Sequence, residues 1–103
     1  MSADQLATEF HRTMVKLYER AKDEAGYNAG YFLRMVSDHG GVEAAKQLLA
    51  VPHVSDGFTA LWERGRLDLT VEAHVIDPRW APLFTEEEIQ TARRWLAEFG
   101  YDA

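Results

Sequence analysis

The sequence predicts an all-α fold, a single compact domain of about six short helices, and three observations carry that expectation. Apolar residues recur at spacings of three, four and seven along most of the chain, as one face of a helix requires. Glycine and proline fall between those stretches, where helices stop. One segment alternates like a strand, but no second strand-like run exists nearby to satisfy its backbone groups. The 103 residues suit one core, because two cores at this length would each bury too little surface.

The elements follow in order. From Asp4 to about Ala25 the residues Leu6, Phe10, Met14, Leu17, Tyr18, Ala21 and Ala25 mark a long amphipathic helix, which Gly26 ends. Asn28 is placed to cap a shorter second helix with an apolar stripe of Tyr31, Phe32, Met35 and Val36. His39-Gly40-Gly41 stops it, and a third helix buries Val42, Ala45, Leu48 and Leu49 before Pro52 forbids its continuation. Ser55 is the expected N-cap of a fourth helix that turns Phe58, Leu61 and Trp62 inward and ends at Gly65.

From Leu67 to Ile76 apolar and polar residues alternate, yet a helix also fits if Asp68 or Thr70 caps it and Leu69, Ala73 and Ile76 share a face. We read it as helix, since a lone strand has no pairing partner. Asp77-Pro78-Arg79-Trp80-Ala81-Pro82 reads as a connector whose prolines suppress both helix and central strand. Thr85-Glu86-Glu87-Glu88 has the form of a capping box. The last helix then carries Ile89, Ala92, Leu96 and Phe99 at helical spacing, with Trp95 flanking them and Gly100 closing it.

Composition narrows the function. Without cysteine the chain has no thiolate nucleophile, no cysteine zinc site and no iron–sulfur ligands. A formal charge of -6 disfavours nonspecific attraction to phosphate backbones. No stretch approaches the roughly 20 apolar residues of a membrane span. Met1-Ser2-Ala3-Asp4-Gln5 lacks the basic and apolar pattern of a secretory signal, so the expected location is the cytoplasm.

A resemblance adds what periodicity does not supply. Gly40-Gly41-Val42-Glu43-Ala44-Ala45-Lys46, the run from Ser55 through Trp62, Gly65 and Asp68 to Ala73, and Leu83-Phe84-Thr85 resemble a small helical bacterial module of unassigned function. That module occurs alone or attached to larger proteins, some of which process DNA. The likeness covers about residues 27–101, leaves the first helix mostly outside, and finds His74 where the pattern has an apolar residue. It implies an accessory role and transfers no site residues.

The candidate sites are few. Asp68 and Glu72, four apart, would present two carboxylates on one side of a helix; the favoured alternative has Asp68 capping while Glu72 pairs with Arg66 or stays solvated. His11, His39, His53 and His74 show no pair at metal-ligand spacing, and no cofactor motif stands in the chain. Gly40-Gly41 before a helix could offer amides to a phosphate, though a helix stop and tight turn explains it better. Arg12, Lys16 and Arg20 form a row interleaved with Glu9, Glu19, Asp23 and Glu24, the pattern of a solvated face.

Arg64 and Arg66 bracket Gly65 and, with Trp62, offer the most plausible contact surface, although tryptophan is more often a core residue. Trp80 is placed to anchor a partner or to lid the core. The expected function is a non-catalytic protein-binding or accessory module, its partner another cytoplasmic protein or a second copy of the chain. The alternative is nucleic-acid binding through Arg64, Arg66, Arg93 and Arg94, if folding brings them together.

Overall fold

The first helix sets the frame. In a computed structural model, which describes residues 2–101 and leaves Met1, Asp102 and Ala103 outside the described residues, α1 runs Ala3–Ala25. The Ser2 hydroxyl accepts from the Gln5 amide and the Gln5 side chain accepts from the Ser2 amide, so two otherwise unpaired donors are satisfied at its start. Phe10, Met14, Leu17 and Ala21 form its buried stripe. Gly26, at φ 65°, closes the helix in the left-handed conformation that residues with a Cβ avoid.

Helices α2 Gly30–His39, α3 Gly41–Leu49, α4 Asp56–Glu63, α5 Val71–Val75 and α6 Glu86–Glu98 follow, with two 3-10 segments at Leu67–Leu69 and Pro78–Leu83. Among the described residues there is no strand, so the fold is all-α as the periodicity predicted. The apolar side chains join one cluster to which every helix contributes. Phe10 lies near its middle, with ring edges and faces meeting Trp80 at 5.2 Å and Phe84 at 5.3 Å between centroids.

Helix α3 comes unusually close to α1. A Cβ on Gly41 would lie 2.7 Å from the His11 Cα, and the Gly41 amide donates to His11 Nδ1 at 3.0 Å. The glycine pair is therefore a turn and a packing contact, and the Gly41 amide is not free for a phosphate. Farther along α3, Lys46 reaches Glu88 on α6 at 2.7 Å, while Glu88 and Thr85 complete the expected capping box.

Several expectations need correction. Asn28 does not cap α2: the helix begins two residues on, with Ala29 at the cap position and no side-chain cap, and Asn28 instead accepts from the Tyr18 hydroxyl at 3.1 Å. Tyr31, in the first turn of α2, is 78% exposed, whereas Met35 and Val36 are buried. On α3 the buried residues are Gly41, Ala44, Ala45 and Leu49, with Val42 and Leu48 only half-buried, since the close approach to α1 favours small side chains. Trp95 is fully part of the core rather than flanking it.

The alternating segment is helical, but as two pieces. Leu67–Leu69 makes a 3-10 turn, and Thr70 caps α5 by accepting from the Ala73 amide at 3.2 Å. Asp68 caps nothing, and Val71 and Val75, not Ala73 and Ile76, are buried. The connector is a 3-10 helix: Pro78 stands in its first turn, where a missing N–H costs nothing, and Asp77 accepts from the Arg79 amide. That turn delivers Trp80 into the core at 2% exposure.

Gly41→Ala separates propensity from packing. Alanine is favoured over glycine at an open helical position, but here the methyl meets the His11 backbone, so the substitution is expected to destabilise by about 1–3 kcal/mol in chemical denaturation.

Candidate functional site

The packing that is dense around Phe10 opens toward the other end of α1. There a cavity of ≈ 330 Å³ lies between the last turns of α1, the loop after Gly26, the first turns of α2 and α4, and the start of α5. Its position follows from the sequence: two helices begin at the same place, and Gly30 and Gly57, both on the wall, bring no side chains to fill the space. Above Gly57 sits the Tyr27 hydroxyl, 3.4 Å from where a Cβ would stand. The wall is mostly aliphatic and aromatic, with the rings of Tyr18, Tyr27, Tyr31, Phe32 and Phe58 among its members.

Glu72 is the polar exception. It is the second residue of α5, after the Thr70 cap, and it is buried to 2% exposure among apolar neighbours. Its Oε2 is the buried side-chain oxygen that, among the described residues, finds no hydrogen-bond partner in the protein. Burial pushes its carboxyl up to about 7, against the smaller opposing effect of its own backbone amide. A buried carboxyl with an unmade hydrogen bond thus belongs to a residue of the cavity lining.

This overturns the expectation that Glu72 pairs with Arg66 or stays solvated, and equally the reading that sets it beside Asp68. Arg66 instead donates to Asp68 at 3.0 Å and to Glu24 at 2.8 Å. Glu24 also accepts from Arg20 at 2.8 Å. Arg20 and then Arg66 hold the Glu24 carboxyl down to about 2, and Arg66 lowers Asp68. The 3-10 turn is the cause: it separates Asp68 from α5, so the two carboxyls do not share a helical face.

The other predicted contact residues are dispersed. Arg64 donates to the carbonyls of Ala25 and Ala60 and stacks on Tyr27 at 5.3 Å, pinning the loop after α1. Trp62, expected to turn inward, is 45% exposed and rests edge-on against Phe99, while Trp80 is a core residue with Arg79 over its ring. Arg94 faces Glu98 at 3.9 Å, and Arg93 is exposed. Among the described residues no group of three or more His, Asp or Glu side chains is assembled for a metal ion.

Fold and cavity together define an all-α domain with an aromatic-walled pocket beside a buried acid. Comparison of the chain with protein-family models, with curated proteins and with solved structures gives no match. No helix among the described residues is long and apolar enough to cross a membrane.

The state of Glu72 is measurable in the stability of the protein. Its folded value of about 7 lies above the ordinary 4.5, so the native state holds this proton more tightly than the unfolded chain does. The resulting stabilisation is complete below the unfolded value and is lost as pH rises through the folded one. Glu72→Gln is therefore expected to raise the unfolding free energy by about 1–3 kcal/mol at about pH 8, a gain that shrinks toward zero near about pH 5, as read by denaturant titration at each pH.

Proposed function

We propose that the chain is a non-catalytic binding module of the bacterial cytoplasm, an accessory to larger proteins, and that what it binds enters the cavity between α1, α2 and α4. The observation that supports this reading is the combination of an apolar space of ≈ 330 Å³ with a buried carboxyl oxygen left without a partner. Stability alone would favour an apolar residue at position 72, because an unsatisfied buried polar atom is a standing cost. Retaining a costly group beside a ligand-sized space is the usual mark of a site whose interactions are completed by what binds there.

Binding is favoured over catalysis by the surroundings of Glu72. A general acid or base acts on a reacting group held by further polar groups, whereas most of this wall is hydrocarbon and aromatic ring. The resemblance to a module attached to larger proteins supports the accessory role. The exposed Tyr31 at the cavity rim and the half-exposed Trp62 are the aromatic positions at which a partner protein or a second copy of the chain would add contact area.

The reading is tested by filling the space. Leu48 is half-buried on the wall, so Leu48→Phe adds bulk toward the cavity with little disturbance of the tight core. Uncharged aromatics such as indole and 2-phenylethanol at millimolar concentration should raise the melting temperature of the wild type and leave that of Leu48→Phe unchanged. An equal effect on both proteins, or none on either, would defeat the proposal.

A further inference from the structure

We infer that the cavity is a site for an organic ammonium, in which an apolar or aromatic stem lies among the cavity rings and the charged nitrogen pairs with the Glu72 carboxyl, whose Oε2 is closed to water in this structure and meets the ligand by a turn of the side chain. This deepens the binding-module reading and rests on it. The chemistry of the wall selects the charge. Asp56 and Glu72 both line the cavity, and no lysine, arginine or histidine does, so an anionic ligand would meet two acids and no compensating base. Five aromatic residues, Tyr18, Tyr27, Tyr31, Phe32 and Phe58, contribute to the same wall. Ring faces attract cations and repel anions, and the chain's charge of -6 acts in the same direction at longer range.

Geometry selects the size and the anchor. Taking the ~30 Å³ that a water molecule occupies in the liquid, the ≈ 330 Å³ available accommodates on the order of ten non-hydrogen atoms, an aromatic ring with a two-carbon amine or a short alkylamine. Of the polar groups on the wall, Thr70 is committed to the Leu67 carbonyl and the Ala73 amide, Ser55 to the Phe58 amide, and Tyr18 and Asn28 to each other, while Asp56 and Tyr31 are exposed and Tyr27 half-buried, so that water can satisfy them. Glu72 Oε2 is unengaged. An ammonium supplies the missing donor and neutralises the carboxylate at the same time, whereas an uncharged alcohol supplies the donor alone.

The titratable groups that line the cavity with Glu72 are Tyr18 of α1, Tyr27 of the loop, Tyr31 of α2 and Asp56 of α4, with His74 on α5 itself turned to the Thr70 carbonyl. Glu72 takes up a proton below about 7, and an ammonium binds to the deprotonated form. Binding at mildly acidic pH therefore expels the Glu72 proton to solvent, and affinity rises with pH by about tenfold per unit until that value is reached.

The experiment is isothermal titration of the full chain with 2-phenylethylamine, its uncharged isostere 2-phenylethanol and the anion 3-phenylpropionate at about pH 8, and with the amine again at about pH 6 in buffers of different ionisation enthalpy. The amine should bind about tenfold or more tighter than the alcohol, the anion weakest of all, and Glu72→Gln should bring the amine and the alcohol to similar affinities. Proton release on amine binding to the wild type gives a second readout that does not depend on the variant folding. A short acetylated peptide with one lysine takes the same titration beside butylamine. Tighter binding of the peptide assigns the ammonium to a partner's side chain, tighter binding of the free amine to a small molecule, and both sustain the chemistry.

Equal affinity for amine and alcohol, or amine binding without proton release at about pH 6, would overturn the ammonium site and leave the cavity reading standing. Failure of all three aromatic probes to bind would overturn both.

Discussion

Helix α1 is central only because α3 can lie almost against its backbone, and α3 can do so only because position 41 carries no side chain. With the Gly41 amide bonded to His11 and no Cβ between the helices, Ala44 and Ala45 reach complete burial. The N-terminal helix is thereby pinned by the first half of the domain. The second half is tied to the same helix through Phe10, which is gripped by Trp80 and Phe84. Chain segments about 70 residues apart thus meet on one ring, a long closure that the surrounding apolar contacts must offset. Phe10 and Met14 of this helix, both wholly buried, are as much a part of the core as the residues of the later helices.

The same arrangement explains where the cavity falls. Large rings fill the space near the middle of α1, while its last turns face the starts of two helices, a loop and two glycines. Nothing there has the volume of Trp80. An apolar gap of this size forfeits dispersion contacts along its whole lining, and the unmade hydrogen bond of Glu72 adds to the cost. Two unfavourable features thus fall in one place.

Much of the fold was legible in the sequence because caps and breakers act locally. Ser55, Thr85 with Glu88, Gly26, Gly65 and Gly100 sit where the helices begin or end, and each exerts its effect within a few residues. Positions that depend on distant partners were less legible. Trp80 looked like part of a loop because two prolines flank it, but a 3-10 turn tolerates a first-turn proline and swings the ring inward. Tyr31 has the spacing of a core residue and is exposed, because spacing does not say where a neighbouring helix ends.

Glu72 was the least legible of all. A glutamate within an alternating stretch signals the polar side, and Arg66 six residues earlier is an obvious partner; only the 3-10 turn at Leu67–Leu69 shifts the phase so that the glutamate faces in. The signal was nonetheless faint but present: Thr70 followed by Val71 marks a helix start, and from that start Glu72 and Val75 are three apart, on the side of the buried valine.

Glu24 and Glu72 show what the chain does with its cations. The two side chains are chemically identical, yet Arg20 and Arg66 hold the first down to about 2 while burial pushes the second up to about 7. Arg66 is also shared with Asp68, Lys46 is spent on Glu88, and Arg64 is turned to backbone carbonyls. These basic groups stitch loops and helix ends together at the surface, where water weakens each pair and a misplaced charge costs little. None of them reaches the cavity, where a single guanidinium would both satisfy Oε2 and occupy the space. Among the described residues no cation pairs with this carboxyl, so its charged form loses water without gaining a cationic partner, and burial dominates its proton affinity.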